Sequence, residues 1–208
     1  MQSTARTCRR ASAKAAVLAV LGMALVASLP VVAKQSDRNE QINVTSTSFD
    51  GTQQQPNGKD PGKVIWTGNV VLTQGSLKVT GSKATGFLDG DNQITRVIVD
   101  GSASAQAAMQ QQDEQNLWMR GKANNIDYKV DQDFAVLTGN AHVEKEVDPA
   151  DRKKLNQSNG DKLTYNTKDS TMTGESNGSA PVHMIFQPKQ QPAAAPATPA
   201  AATPPKKP

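Results

Sequence analysis

The sequence predicts an all-β fold on three observations. Apolar and polar residues alternate with period two through the middle of the chain, glycine, asparagine and aspartate punctuate those runs, and the pattern returns about every 40 residues. No comparable stretch carries the 3.6-residue period of an amphipathic helix.

The chain opens with Arg6, Arg9, Arg10 and Lys14, unaccompanied by acid, followed by an apolar run from Ala15 to Val26 and a small-residue exit through Val31 and Ala33. That order predicts a secretory signal peptide over residues 1–33, cleaved after Ala33 to leave Lys34 first. The apolar run, at about 12 residues, is short of the roughly 20 that a membrane-spanning helix needs. Taking those four cations from the 23 basic residues leaves 19, equal to the 19 acidic ones. The apparent pI of 9.2 therefore resides in the leader, and no basic stripe remains to argue for nucleic acid. Cys8 is the sole cysteine and leaves with the leader, so disulfides, thiol nucleophiles and thiolate metal sites are excluded from the mature chain.

One domain is expected over residues 34–188. Its clearest strand reads KVIWTGNVVLT from Lys63, with Val64, Trp66, Gly68, Val70 and Leu72 on one face. The alternation returns at Leu77 and Val79, Val97 and Val99, Leu117 and Met119, and Val182, Met184 and Phe186. Four segments, starting at Ile42, Leu77, Leu117 and Leu155, each run from a strand start to an aromatic (Phe49, Phe87, Tyr128, Tyr165) and then an aspartate. A second repeat pairs WTGNVVL at 66–72 with LTGNAHV at 137–143. Such units cannot be stable alone and must share a core with their neighbours. The stretches 50–62 and 144–158 are polar, contain proline and read as surface loops, with Asp151, Arg152, Lys153 and Lys154 as a solvated charge cluster. From Lys189 to the end, proline and alanine dominate without periodicity, which predicts a disordered tail over 189–208.

The chemistry expected is binding. His142 and His183 each sit among alternating strand residues without a carboxylate or second histidine at ligand spacing, so no metal or other cofactor is expected. Nucleophile elbows, phosphate loops and dinucleotide fingerprints are absent from the sequence. Gly68 and Gly139 lie inside strand patterns, where glycine marks a bulge. A polysaccharide binder or carbohydrate-active enzyme on a β-repeat scaffold is the rival reading, since its carboxylates could stand at any separation in sequence. No ladder of exposed aromatic rings supports it.

Residues 66–84, 124–143 and 160–174 occur in order behind the leader, and together they resemble the OstA-like family of periplasmic domains over about residues 37–187. The resemblance implies a twisted, slightly open β-jellyroll of two antiparallel sheets that shields the acyl chains of lipopolysaccharide (lipid A). It also implies end-to-end joining: an LptC-like inner-membrane protein at the N-terminal edge, an LptD-like outer-membrane protein at the C-terminal edge, and head-to-tail self-association. The Pro/Ala-rich tail and the long 50–62 loop depart from the family pattern. By alternation, the inward groove residues are Ile42, Val44, Trp66, Val70, Leu72, Leu77, Val79, Val97, Val99, Leu117, Met119, Leu137 and Val143. The edges open to strand addition are Gln41–Thr47, presenting Gln41, Asn43 and Thr45, and Val182–Phe186, presenting Val182, Met184 and Phe186.

Overall fold

The computed structural model of the chain describes residues 35–54, 60–168, 171–178 and 181–188. The expected leader with its cleavage point, the centre of the 50–62 loop and the tail lie outside the described residues. Among the described residues, a 3-10 turn at Gln35–Asn39 is followed by twelve strands: β1 (Asn43–Thr45), β2 (Ser48–Thr52), β3 (Gly62–Gln74), β4 (Leu77–Leu88), β5 (Ile94–Asp100), β6 (Ala107–Gln112), β7 (Trp118–Ala123), β8 (Asn125–Lys129), β9 (Phe134–Glu146), β10 (Leu155–Asn166), β11 (Thr171–Glu175) and β12 (His183–Ile185). Every pairing is antiparallel.

The two layers of this jellyroll are one hydrogen-bonded sheet folded along a line. Four long strands, β3, β4, β9 and β10, run through both layers, and the shorter strands serve one layer each. The first layer orders β2-β3-β4-β5-β8-β9-β10-β11; the second orders β1-β3-β4-β6-β7-β9-β10-β12. The sheet folds where the ladder register slips, between Thr67 and Val70 in β3 and opposite Gly160 and Lys162 in β9 and β10. Gly68 and Asn69 there have φ of 81° and 47°, and Gly139 and Asn140 have 81° and 50°. That is left-handed backbone, which glycine adopts freely and asparagine and aspartate at less cost than other residues. An added Cβ at Gly68 would stand 2.5 Å from the Thr47 hydroxyl, and one at Gly139 2.7 Å from the Asn124 amide nitrogen. The repeated TGN of the sequence is thus the hinge between layers, and the Gly68 and Gly139 carbonyls accept hydrogen bonds from the Thr47 and Asn124 amides, at 2.8 and 2.9 Å.

The four aromatic-to-aspartate segments also have a physical meaning. Each is a pass from the free end of the second layer, over the hinge, to the free end of the first: β1 with β2, β4, β7 with β8, and β10. The aromatics themselves are not equivalent, since Tyr128 and Tyr165 are core whereas Phe49 is 75% exposed.

Three expectations are corrected. Each edge is made of two strands, one in each layer: β2 and β11 belong to the edges as well as β1 and β12, because the chain breaks at Ser46–Thr47 and after Glu175 to change layers. Gln41, Val182 and Phe186 fall just outside β1 and β12. The expected loop 144–158 is shorter than its composition suggests: β9 reaches Glu146 and β10 starts at Leu155, which leaves 147–154 as the connection.

Candidate functional site: an apolar interior running end to end

Cross-strand registers place one inward residue of each strand in a continuous row. In the first layer the row is Phe49, Trp66, Ala84, Val99, Ile126, Leu137, Leu163 and Gly174. The second layer opposes it with Val44, Leu72, Val79, Met109, Gly121, Val143, Ser158 and Met184. Side chains on one face of an antiparallel pair stand within contact distance, so each row is an unbroken strip across eight strands. The middle of each is sealed: Val99, Ile126, Leu137, Met109 and Val143 are at most 2% exposed. The ends are not, as Phe49 is 75% and Met184 45% exposed, with Ile185 and Phe186 also exposed beside Met184.

The chain is also internally duplicated in space. Strands β1–β6 and β7–β12 pair in the same order, β3 with β4 matching β9 with β10, and the halves join through β5–β8 and β6–β7. Matching the registers sets Phe49 on Ile126, Val44 on Gly121, Gly174 on Val99 and Met184 on Met109. The residues exposed at the two ends therefore hold positions that are core inside the molecule.

Residues 43–171 match the family described as "LptA/(LptD N-terminal domain) LPS transport protein". The chain belongs to this family. It is 32% identical over 166 residues to the lipopolysaccharide export system protein LptA of Escherichia coli (strain K12), covering 80% of this chain and 81% of that one. The LptA of Haemophilus influenzae is 27% identical over 170 residues, or 82% and 90% of the two chains. Among solved structures, LptH, the LptA-homologous periplasmic component of the lipopolysaccharide transport device of Pseudomonas aeruginosa, superposes with a TM-score of 0.59 at 27% identity, covering 74% of this chain and 99% of that one.

Within this family member the groove residues expected from alternation take the following places. Val70, Leu72, Leu77, Val79, Val97, Val99, Met119, Leu137 and Val143 lie in the buried core, and Ile42, Val44 and Trp66 pack against it half-buried. Leu117 stands apart: it lies in the turn before β7, where its carbonyl accepts from the Asp113 amide, and it is half-buried outside the core cluster. Ala84, Ala107, Met109, Ala123, Ile126, Tyr128, Ala135, Ala141, Leu163 and Tyr165 make up the rest of the core; β6, β8 and β10 held no predicted groove residue, and in β4 the period shifts between Val79 and Ala84 at the register slip.

Polar groups close the free ends of the layers. Glu146, 2% exposed, accepts from the Trp118 amide at 3.1 Å, Arg120 at 2.9 Å and Arg152 at 2.5 Å. Burial opposes its charge, but those bonds outweigh it and hold the carboxyl below its ordinary range. Arg152, expected in a solvated cluster, is thus a structural partner. Burial lowers the Lys145 ammonium, with the neighbouring Asp113 carboxylate opposing the shift. Burial also pushes the Tyr128 phenol up to about 12, with Asp133 and Asp37 raising it further and Arg38 opposing. His142 does meet a carboxylate, Glu144 at 3.1 Å, because residues two apart on a strand share a face; its other nitrogen meets Asn159 at 2.6 Å. Among the described residues, no three His, Cys, Asp or Glu side chains gather as a metal site would require.

Proposed function

We propose that this chain carries lipopolysaccharide across the periplasm by holding its acyl chains along the two inward rows, and that copies join head to tail into a bridge. The observation that carries the reading is the pair of inward rows, apolar but for Ser158, that between them cross the twelve described strands and emerge at Phe49 and Met184. One twelve-carbon chain exposed to water costs on the order of 9 kcal/mol, at about 0.8 kcal/mol per methylene, and a continuous apolar path removes that cost. The work is binding rather than catalysis. Its groove comprises the inward residues named above, Leu117 included, and export follows cleavage after Ala33.

The internal joint supports a definite register for the external one. Carrying β5–β8 and β6–β7 outward sets Gly174 opposite Phe49, Glu175 opposite Ser48 and Met184 opposite Val44 of the next copy. Phe49 then covers a strand position lacking a side chain, beside Val182 and Leu163. The bidentate Arg96–Asp127 pair that pins the internal joint, at 2.7 and 2.6 Å, becomes Thr171 and Asp50, so the external joint is the weaker and reversible one. The same surfaces suit an LptC-like partner at β1–β2 and an LptD-like partner at β11–β12.

A photo-crosslinker at each groove position is expected to capture lipopolysaccharide, and one at Thr67, Asn69 or Lys78 is not. Equal labelling of both sets, or native mass spectra without bound lipid, defeats the carrier reading. A monomer at every concentration that binds neither partner defeats the bridge.

A further inference from the structure

Along the hinge line the two layers cannot part, because four strands run through it. They can part only at the seam between their free ends, which is where the buried polar residues Gln74, Gln111 and Thr167 collect. The turn Gln35–Asn39 lies across that seam. On the second-layer side, Ser76 donates to the Asp37 carboxylate, and the Gln74 amide donates to the Arg38 and Glu40 carbonyls, both at 3.2 Å. On the first-layer side one ion pair among the described residues, Arg38 to Asp133 at 2.6 Å, ties the turn down. Beneath it lies a cavity of about 10 Å³ that touches both layers through Gln111 and Tyr128, and the buried Gln111 Oε1 finds no hydrogen-bond partner there.

From this we infer that the seam is a side entrance through which acyl chains reach the interior, and that residues 35–39 are the strap that closes it. The inference rests on the carrier reading. Val70, Leu77 and Leu137 are at most 1% exposed, so the rows touch one another when the strap is shut and an acyl chain needs the layers to separate before it can lie between them. The tie on the first-layer side is the natural release point, being, among the described residues, one ion pair with a half-exposed arginine against three hydrogen bonds on the other side. Opening there swings the strap away attached to the second layer and uncovers Gln111 and Tyr128, whose polar groups suit the region where acyl chains meet the sugar of a glycolipid. A lipid threading in from the ends would meet no strap.

The test uses the full chain with Cys8→Ser, Arg38→Cys and Asp133→Cys, loaded with lipid A from phosphatidylcholine vesicles. Without a crosslinker the ion pair is gone, and loading is expected about five-fold faster than in Cys8→Ser alone, the scale of one exposed pair. Joined by a reducible bis-thiosulfonate, the same protein is expected to load at least about ten-fold more slowly than its unlinked form, a difference of roughly 1.4 kcal/mol in barrier. Reductant restores the fast rate, which separates closure from misfolding. Sedimentation is expected to be unchanged throughout, since the strap lies away from both edges. Rates indifferent to the link overturn the seam while leaving the carrier reading intact; a Cys8→Ser protein that captures no lipid A overturns both.

Discussion

Replacing Phe49 with alanine is expected to weaken head-to-tail association while leaving the fold almost untouched. The ring is 75% exposed in the single chain, so its removal takes little from the core. In the proposed joint it would lie opposite Gly174, at the position that Ile126 fills inside the molecule. Burying three quarters of an aromatic side chain removes on the order of 130 Å² from water, which at about 25 cal/mol per Å² is about 3 kcal/mol. At roughly 1.4 kcal/mol per decade, the dissociation constant rises about a hundredfold. Sedimentation velocity over a concentration series reads that shift, and thermal unfolding of the dilute protein supplies the control. Ile126→Ala is the companion variant: fully buried, it is expected to lose roughly 2–5 kcal/mol of stability. If Phe49→Ala assembled like the wild type, or if it unfolded as readily as Ile126→Ala, the equivalence between the internal and external joints would be wrong.

Gly139→Ala is expected to cost about 2–3 kcal/mol in thermal or denaturant unfolding, because its φ of 81° and a Cβ 2.7 Å from Asn124 must both be accommodated. Gly178→Ala, with φ of 95° but open space around it, is expected to cost only about 1 kcal/mol, and equal losses would remove the hinge contact as the cause. Glu146→Gln leaves Arg120 and Arg152 without their carboxylate and is expected to destabilise by about 1–3 kcal/mol at neutral pH. Since the folded carboxyl sits below its ordinary 4.5, that contribution is whole above pH 4.5 and fades as pH falls through the depressed value; a gap between variant and wild type that stayed constant into acid would contradict it. For Tyr128, whose pKa rises from 10.0 to about 12, the stabilisation is whole below pH 10 and disappears as pH climbs through 12. Absorbance titration is expected to show a late phenol that Tyr128→Phe abolishes.

What the sequence made legible was what period two encodes. The inward rows follow from alternation at Val70, Leu72, Leu77 and Val79, and the bulges, though not the fold of the sheet at them, from the glycines of the two TGN triplets, because left-handed backbone favours glycine and asparagine. Features that depend on distant partners stayed hidden. Nothing local distinguishes Asp37 and Arg38 from a polar leader remnant, since their meaning comes from Ser76 and Asp133, 39 and 95 positions away. Glu146 looked like the start of a charged loop because its arginines arrive from another strand and from beyond the turn. The edge strands β2 and β11 escaped because SFDGT and TMTGE carry too few apolar residues to alternate visibly. Their inward positions hold Phe49, Gly51, Met172 and Gly174, half of them glycine.

The eight-strand width of each layer also sets a geometry for anything built by joining copies in the inferred register. Strands lie about 4.8 Å apart, so one copy advances the assembly by roughly 38 Å. Adjacent strands rotate by about 20–25°, so the same step turns it through roughly 160–200°. Successive copies therefore face nearly opposite ways, and the strapped side of one looks out where its neighbour presents the hinge. Along such a filament the Gln35–Asn39 turns alternate between two flanks, so a flat surface laid against it meets them only at every second copy.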